Sequence, residues 1–262
     1  MIEHSVRMPL FRAKYIAWLA LESLCRQQGI DFEWELVCAE EQDDPEMFGQ
    51  DAAMHYADRL KQVGCVKITY VPVENWIPLA DKMVLLINNC SEESKVVMFQ
   101  SADYYSSPFI LRDQHKAFQD PKIDWFTCRP RTIFYEIGSG IAKMALNGTK
   151  GSGRGVKLSV ARQVQDGGGR RRVCDQWFLK SYVRVLGHPL VEHVDHENWK
   201  HAFNTDGFNN CTLARTGWIR DGHNKWRDVP FDWKANIPSE ILDRVAALKK
   251  YLPEHKRGIG KK

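Results

Sequence analysis

Nothing in the chain approaches the roughly 18 consecutive apolar residues that a membrane-spanning helix needs, and its start has neither the charged opening nor the continuous apolar segment of a secretory signal. No membrane span and a cytoplasmic location are expected. Cysteine pairing signals are also missing. Cys25, Cys38, Cys65, Cys90, Cys128, Cys174 and Cys211 are odd in number, scattered and without a CxxC pair, which argues against a disulfide framework or a zinc site built on that motif. Neither HExxH nor the GxxxxGK(S/T) order of a phosphate-binding loop occurs. What is present is apolar material, 44% of 262 residues, enough to bury one substantial core without covalent staples.

Charge is unevenly spread. The formal net charge is +4, yet Asn147 to Arg172 holds seven basic residues, Lys150, Arg154, Lys157, Arg162, Arg170, Arg171 and Arg172, against the single acid Asp166. A second basic cluster, Lys256, Arg257, Lys261 and Lys262, closes the chain. Such patches attract phosphates of a nucleotide or a nucleic acid, or else form a solvated surface. Gly148-Thr-Lys150-Gly-Ser-Gly-Arg154-Gly155 reads as a flexible lid or acceptor loop. Arg170, Arg171 and Arg172 could clamp a pyrophosphate or track an anionic acceptor.

Hydrophobic periods alternate along the first half. Ile16, Leu19, Ala20 and Leu24 share a helical face within Lys14 to Gln27, with Gly29 placed to stop the helix. Phe32, Trp34, Leu36 and Cys38 alternate with Glu33 and Glu35 as a strand should, before an acidic break from Glu40 to Pro45. Ala53, Tyr56, Ala57 and Leu60 have helical spacing with Gly64 as a stop, and Val66 to Val71 is the next strand. Leu79, Met83, Leu86, Ile87 and Cys90 predict a third helix. This β/α alternation predicts a mostly parallel sheet flanked by helices. Near the other end, Pro238-Ser239-Glu240-Ile241 opens an amphipathic helix through Leu242, Val245, Leu248 and Leu252, expected to pack on the sheet.

The apolar run Val96-Val-Met-Phe99 then delivers Asp103 just past a strand's carboxyl end, the place where open α/β sheets bind ligands. There a carboxylate either caps the following helix or turn or holds a divalent cation against a diphosphate. Four segments agree in order and spacing with a known pattern: Val6-Arg-Met-Pro9-Leu-Phe-Arg12, Leu21-Glu-Ser23-Leu24-Cys-Arg-Gln27, Trp34-Glu-Leu-Val-Cys-Ala-Glu40-Glu41 and Val97-Met-Phe-Gln-Ser101-Ala102-Asp103-Tyr104. Together they resemble a family-2-type glycosyltransferase of the GT-A fold, most clearly over residues 5 to 112.

The resemblance implies an α/β fold of GT-A type: a mostly parallel sheet flanked by helices, in a single domain spanning 1–262. A Rossmann-like nucleotide-sugar-binding half would cover 1–112 and an acceptor-side half 113–235, with the Gly/Arg-rich loop at 147–172 and a C-terminal helix and basic tail over 236–262. Pro9, Glu40, Lys82, Ser101 and Asp103 fall where the family binds its donor, a nucleotide-sugar, with a UDP-sugar expected. Ser101 stands where the family has the first acid of its Asp-x-Asp metal motif, so Asp103 alone is left to hold Mg²⁺ or Mn²⁺. The family's late metal-binding histidine implies His196 or His201. Lys82 either reaches the nucleotide or pairs with Asp81 on an exposed helix face. Asp175, in Arg172-Val-Cys-Asp175-Gln-Trp177, resembles the general base of inverting members, and its other reading is a helix N-cap.

The implied function is metal-dependent, inverting transfer of a sugar from a nucleotide-sugar to a hydroxyl acceptor, either a glycan or, given the basic segment, hydroxylated DNA approached by Arg170, Arg171 and Arg172. The alternative is a non-catalytic nucleotide- or glycan-binding protein on the same fold, motivated by Ser101. A nucleic-acid-binding protein using the arginine cluster alone would leave the β/α pattern and the strand-end carboxylate unexplained.

Overall fold

The computed structural model describes residues 1–128, 132–138, 140–145, 153–164, 174–206 and 226–251. Strand β1 (Ile2–Pro9) is followed by α1 (Ala17–Leu24) and β2 (Glu33–Glu41), then by two short helices, α2 (Gln50–Met54) and α3 (Ala57–Lys61), and β3 (Cys65–Val73). Helix α4 (Leu79–Asn88) leads back to β4 (Val96–Phe99) on the other side of β1. The chain continues through β5 (Tyr104–Tyr105), α5 (Ile110–Phe118), β6 (Trp125–Cys128), β7 (Thr132–Glu136), β8 (Ile141–Ala145), β9 (Arg154–Lys157) and α6 (Leu158–Ala161). It ends with α7 (Cys174–Leu186), β10 (Glu192–Asp195), β11 (Phe203–Asp206), β12 (Trp226–Arg227) and α8 (Ser239–Ala247).

Among the described residues a seven-stranded sheet has the order β10-β6-β9-β4-β1-β2-β3. It is parallel apart from β9, which runs antiparallel to both β4 and β6. A second sheet has the order β12-β8-β7-β11-β5. The expected α/β class with helices on both faces of a mostly parallel sheet is therefore borne out. Pleating sends alternate residues of the central strands to opposite faces. Val6, Met8, Leu36, Cys38 and Met98 meet α1 through Ala17, Leu21 and Leu24. Val37, Ala39 and Val97 meet α4 and α7 through Met83, Leu86, Ile87, Phe178 and Tyr182.

Double-sided cover explains where the alternation reading fell short. The alternation predicts Glu35 on the polar side of its strand, yet it is fully buried. Its carboxylate accepts hydrogen bonds from Ser5 Oγ (2.6 Å) and Ser91 Oγ (2.7 Å), which satisfy it under α4. Strand β2 also runs on through Glu40 and Glu41 rather than breaking before them. The predicted helix around 53–60 is split in two at His55 and Tyr56. Helix α8 exists as expected, shares the core cluster of the sheet residues through Ile241 and Val245, and also contacts α1. Arg26 binds Glu240 at 2.9 Å, and the Arg244 guanidinium lies 3.8 Å from the Trp18 ring centroid.

The Gly/Arg-rich segment is corrected in part. Residues 154–157 are not lid but strand β9, inside the sheet between β4 and β6. Glycine is required there by contact: a Cβ on Gly155 would lie 2.6 Å from Gln114 Oε1. The local cations are spent internally as well. Arg154 is buried, Lys157 pairs with Asp124 at 3.1 Å, and Arg162 donates to the Cys90 carbonyl at 2.7 Å. Lys150, Arg170, Arg171, Arg172 and the basic tail lie outside the described residues.

At the amino end of β1, His4 is 1% exposed, sits 5.4 Å from the His115 ring and 4.9 Å from the Phe32 ring, and its Nδ1 has no hydrogen-bond partner. Burial, reinforced by His115 and Lys95, pushes its pKa from 6.5 down to about 3. The folded state therefore keeps the ring neutral where the unfolded chain takes up a proton. This contribution is intact above pH 6.5 and is lost as pH falls toward 3, at roughly 1.4 kcal/mol per pH unit. Urea unfolding of the wild type and His4→Leu at pH 7 and pH 4.5 should show the wild type losing about 2 to 3 kcal/mol more than the variant across that interval. Equal acid slopes would show that His4 is not held neutral.

Candidate functional site at the carboxyl edge of the sheet

From β1 the chain builds outward through β2 and β3, then returns to place β4 on β1's opposite side, so the strand order reverses between β1 and β4. In open parallel sheets this reversal opens a crevice at the carboxyl ends of the strands. Pro9 ends β1 there, opposite Ala39, and the Leu10 amide donates to the Ala39 carbonyl at 2.8 Å. Gln100 continues from β4 and donates its amide to the Arg7 carbonyl at 2.9 Å. The donor-site residues read from the sequence, Pro9, Glu40, Lys82, Ser101 and Asp103, all lie around this edge.

The two acids at the end of β2 face opposite ways and do different work. Glu40 accepts from the Phe48 amide (2.7 Å), the Gly49 amide (2.9 Å) and the Tyr70 hydroxyl (2.6 Å). Burial, together with that bond to Glu40, pushes the Tyr70 pKa up, so the hydroxyl stays a donor. Glu40 thus organises the loop after β2. Glu41 turns to α4, where Lys82 Nζ donates to Glu41 Oε2 at 2.5 Å and to the Leu10 carbonyl at 2.7 Å. Both side chains of that pair are 2% exposed. The expectation that Lys82 pairs with Asp81 on an exposed helix face is thereby corrected, because α4 turns Lys82 inward against the ends of β1 and β2.

Asp103 is buried, and its carboxylate accepts a hydrogen bond from the Ser101 hydroxyl two residues earlier. Its main-chain carbonyl accepts from both the amide (3.0 Å) and the hydroxyl (3.1 Å) of Thr205. A short strand, β5, follows Asp103 instead of the helix anticipated there, and it pairs antiparallel with β11. Asp103 is consequently held from two sides, by β4 and by the second sheet.

Helix α7 brings a third element to the same edge. Phe178 packs against Phe99 and lies under the Arg7 guanidinium, 5.4 Å from its carbon to the ring centroid. One turn on, Tyr182 meets Trp125 at 6.0 Å. The helix therefore runs with its first turn, which holds Asp175, toward the carboxyl ends of β1 and β4. Arg7, Phe99 and Arg154 are in register across β1, β4 and β9, so two buried guanidiniums underlie α7.

The histidines are placed elsewhere. His196 is exposed and follows β10, which is separated from β4 by β9 and β6, a span of about 14 Å at normal strand spacing. His201 ends a 3₁₀ turn and lies beside Phe109, 5.7 Å between rings, at the opposite end of the β5–β11 ladder from Asp103. Its pKa is lowered by burial and by Lys200. The structure does not bring either histidine to Asp103. The intervening acid, Asp195, instead caps the turn by accepting from the Glu197 (2.7 Å) and Asn198 (3.1 Å) amides. Among the described residues no group of three or more His, Cys, Asp and Glu is arranged to hold a metal ion. Trp199 is core, donating its indole N–H to the His196 carbonyl at 3.0 Å.

Burial pushes the Cys25 and Cys90 thiols up to about 11 and Cys65 up to about 12, which disfavours nucleophilic cysteine chemistry. A cavity of about 410 Å³ opens at the amino edge of the sheet beside His4, His115 and Phe118, away from the strand-end carboxylates. Its lysines, Lys95 and Lys157, are paired with Glu3 and Asp124. Sequence reasoning missed Asp44, Tyr70 and Thr205, which hold the site from the loop after β2, from β3 and from the second sheet. No local periodicity signals such distant partners.

No protein-family profile and no curated protein sequence matches this chain. Solved structures do match it in fold. S. aureus TarS residues 1–349 bound to UDP superposes with a TM-score of 0.56 at 13% identity, over 78% of this chain and 60% of that one. The same protein bound to UDP-GlcNAc gives a TM-score of 0.51 at 12% identity, over 75% and 60%. A longer form of TarS gives 0.53 at 13%, over 79% and 37%. The chain thus spans at most about 60% of these TarS chains, and at such identities the likeness is one of fold. No described helix is long and apolar enough to cross a membrane.

The Lys82–Glu41 pair yields a stability prediction. Lys82→Met leaves a carboxylate buried without its cation and should cost about 3 to 5 kcal/mol in urea unfolding. Replacing both partners, as Lys82→Met with Glu41→Leu, should recover most of that loss. A double variant no more stable than the single one would refute the coupling.

Proposed function

We propose that this chain is a glycosyltransferase of the GT-A fold that moves a sugar from a nucleotide-sugar, a UDP-sugar, to a hydroxyl acceptor with inversion. The observation that carries the reading is the buried Asp103, delivered past β4 beside the point where strand order reverses. The fold shared with a protein solved with UDP and with UDP-GlcNAc supports the same donor class.

In this reading Pro9 and the loop after it line the nucleotide's pocket, with Glu41 and Lys82 fixing the wall beneath. Asp103, steadied by Ser101 and Thr205, is the residue that would hold Mg²⁺ or Mn²⁺. Its donor set fits a hard cation poorly on its own, since Ser101 replaces a second carboxylate, and better when diphosphate oxygens complete the shell. Such an ion, when bound, neutralises charge on the departing nucleoside diphosphate. Asp175, in the first turn of α7, takes the proton of the acceptor hydroxyl. His196 and His201 are given no part in the metal shell. The acceptor is a glycan hydroxyl or a hydroxylated base of DNA. In the second case Arg170, Arg171 and Arg172 meet phosphates, and binding falls steeply with salt.

A second reading, a non-catalytic nucleotide- or glycan-binding protein, is favoured by one observation, the hydrogen bond from Ser101 that engages the Asp103 carboxylate. The two readings separate in one experiment. UDP-, GDP-, TDP- and CMP-sugars are incubated with and without Mn²⁺, and released nucleotide is measured for the wild type, Asp103→Ala and Asp175→Asn. The transferase predicts Mn²⁺-stimulated release of UDP, reduced on the order of 100-fold or more in Asp103→Ala. In Asp175→Asn, transfer to an acceptor should fall similarly while UDP binding is retained. Tight UDP-sugar binding with no release in the presence of glycan and hydroxylated-DNA acceptors would favour the non-catalytic protein.

A further inference from the structure

We propose that Arg12 recognises the diphosphate of the bound nucleotide, supplying positive charge that the site's metal motif lacks; the inference rests on the donor-site reading above. Arg12 follows Pro9 by three residues, at the mouth of the crevice between the ends of β1 and β2. Its backbone is unusual. Among the described residues it is the one non-glycine position in the left-handed region, at φ +46°, a conformation that L-residues adopt only where surrounding structure enforces it.

The enforcement is visible. The Arg12 amide donates to Asp44 Oδ2 at 2.9 Å, and Asp44, itself buried, also accepts from the Glu46 amide at 2.9 Å. The Lys14 amide then donates to the Glu46 carbonyl at 2.9 Å. These bonds stitch the loop after β1 to the loop after β2 and hold Arg12 out of the helix that follows. The side chain so presented is exposed, with its guanidinium 5.5 Å from the Phe11 ring centroid, and no described acid forms an ion pair with it. Backbone strain locked by a buried carboxylate, for a side chain directed to solvent, fits a ligand-facing residue better than a packing one.

Charge accounting points the same way. Lys82, which the resemblance sets either at the nucleotide or beside Asp81, bonds Glu41 and the Leu10 carbonyl and lies 5.7 Å from the centroid of the same Phe11 ring. Phe11 therefore neighbours both a buried cation and an exposed one. With Ser101 in place of a metal-binding acid, a diphosphate at this edge meets fewer ion contacts, and a guanidinium offers paired N–H donors to phosphate oxygens.

The test is NMR titration of uridine, UMP and UDP, in EDTA and again in Mn²⁺, into wild type, Arg12→Asn and Arg12→Lys. Asparagine tolerates the left-handed backbone while removing the charge, and unchanged thermal melting verifies folding. Arg12→Asn should weaken UDP in EDTA by about tenfold or more, the loss expected for charge-assisted hydrogen bonds, while uridine binding is unchanged. Arg12→Lys should fall between the two. UDP affinity equal to wild type in Arg12→Asn, or equal losses for uridine and UDP, would overturn the assignment of Arg12 with the donor site intact. Failure of the wild type to bind UDP under either condition would overturn the donor-site reading itself, and this inference with it.

Discussion

The buried contact of Lys82 with Glu41 and the Leu10 carbonyl fixes the geometry on which the candidate site depends. One ammonium group joins the end of β1, the end of β2 and the first turn of α4. An ion pair this buried gains little net stability over an apolar equivalent, because both charges have been taken out of water. Its effect is directional. An apolar contact could slide, whereas an ammonium held at 2.5 and 2.7 Å sets how far the loop after β1 can move from β2. That loop contains Phe11 and Arg12, so the rim of the crevice inherits its position from a charge pair behind it.

The acids of this edge are mostly consumed by the protein's own hydrogen bonds. Glu40 accepts two backbone amides and the Tyr70 hydroxyl, Asp44 accepts two backbone amides, and Glu41 belongs to Lys82. Glu40 and Asp44, satisfied in this way, shape their loop and are poorly available to a ligand, while the buried Glu41 Oε1 has no hydrogen-bond partner. Asp103 differs in position, since it follows a central strand and stands at the strand-order reversal.

The elements most legible in the sequence were those whose signal is local. The Val96–Phe99 strand, the helix after Leu79 and the stops at Gly29 and Gly64, with φ of +67° and +86°, follow from apolar runs and from glycine's freedom at positive φ. Readings that needed a partner failed more often. Glu35 looked solvent-facing because a strand pattern does not reveal that Ser5 and Ser91 cover it. Arg154-Gly-Val-Lys157 looked like lid because glycine suggests a loop, but its neighbours across the sheet, Phe99 and Phe126, make it a strand. Likewise the acid and histidine sequence around 193–201 invited a metal reading, where the fold uses Asp195 to cap a turn and sets His196 and His201 on other elements than Asp103. Lys82 combined both cases. Its place near the site was legible from the resemblance, and its inward direction required knowing that α4 lies across β1 and β2.

The far wall of the crevice rests on a different kind of interaction. Helix α7 is seated by Phe178 and Tyr182 among Met83, Phe99, Trp125 and Val156, with Arg7 and Arg154 beneath the rings. Two like charges in an apolar layer are costly unless something nearby offsets them. Aromatic faces contribute to that offset, since the ring quadrupole attracts a guanidinium. Ring contacts of this kind tolerate small shifts of the helix along the sheet. The near wall of the crevice is thus built from directional hydrogen bonds and the far wall from adaptable aromatic packing. Under the proposed transfer reading, a wall that binds a nucleotide would match one rigid ligand closely and a wall that faces an acceptor would admit substrate and release product, and this asymmetry accords with that reading.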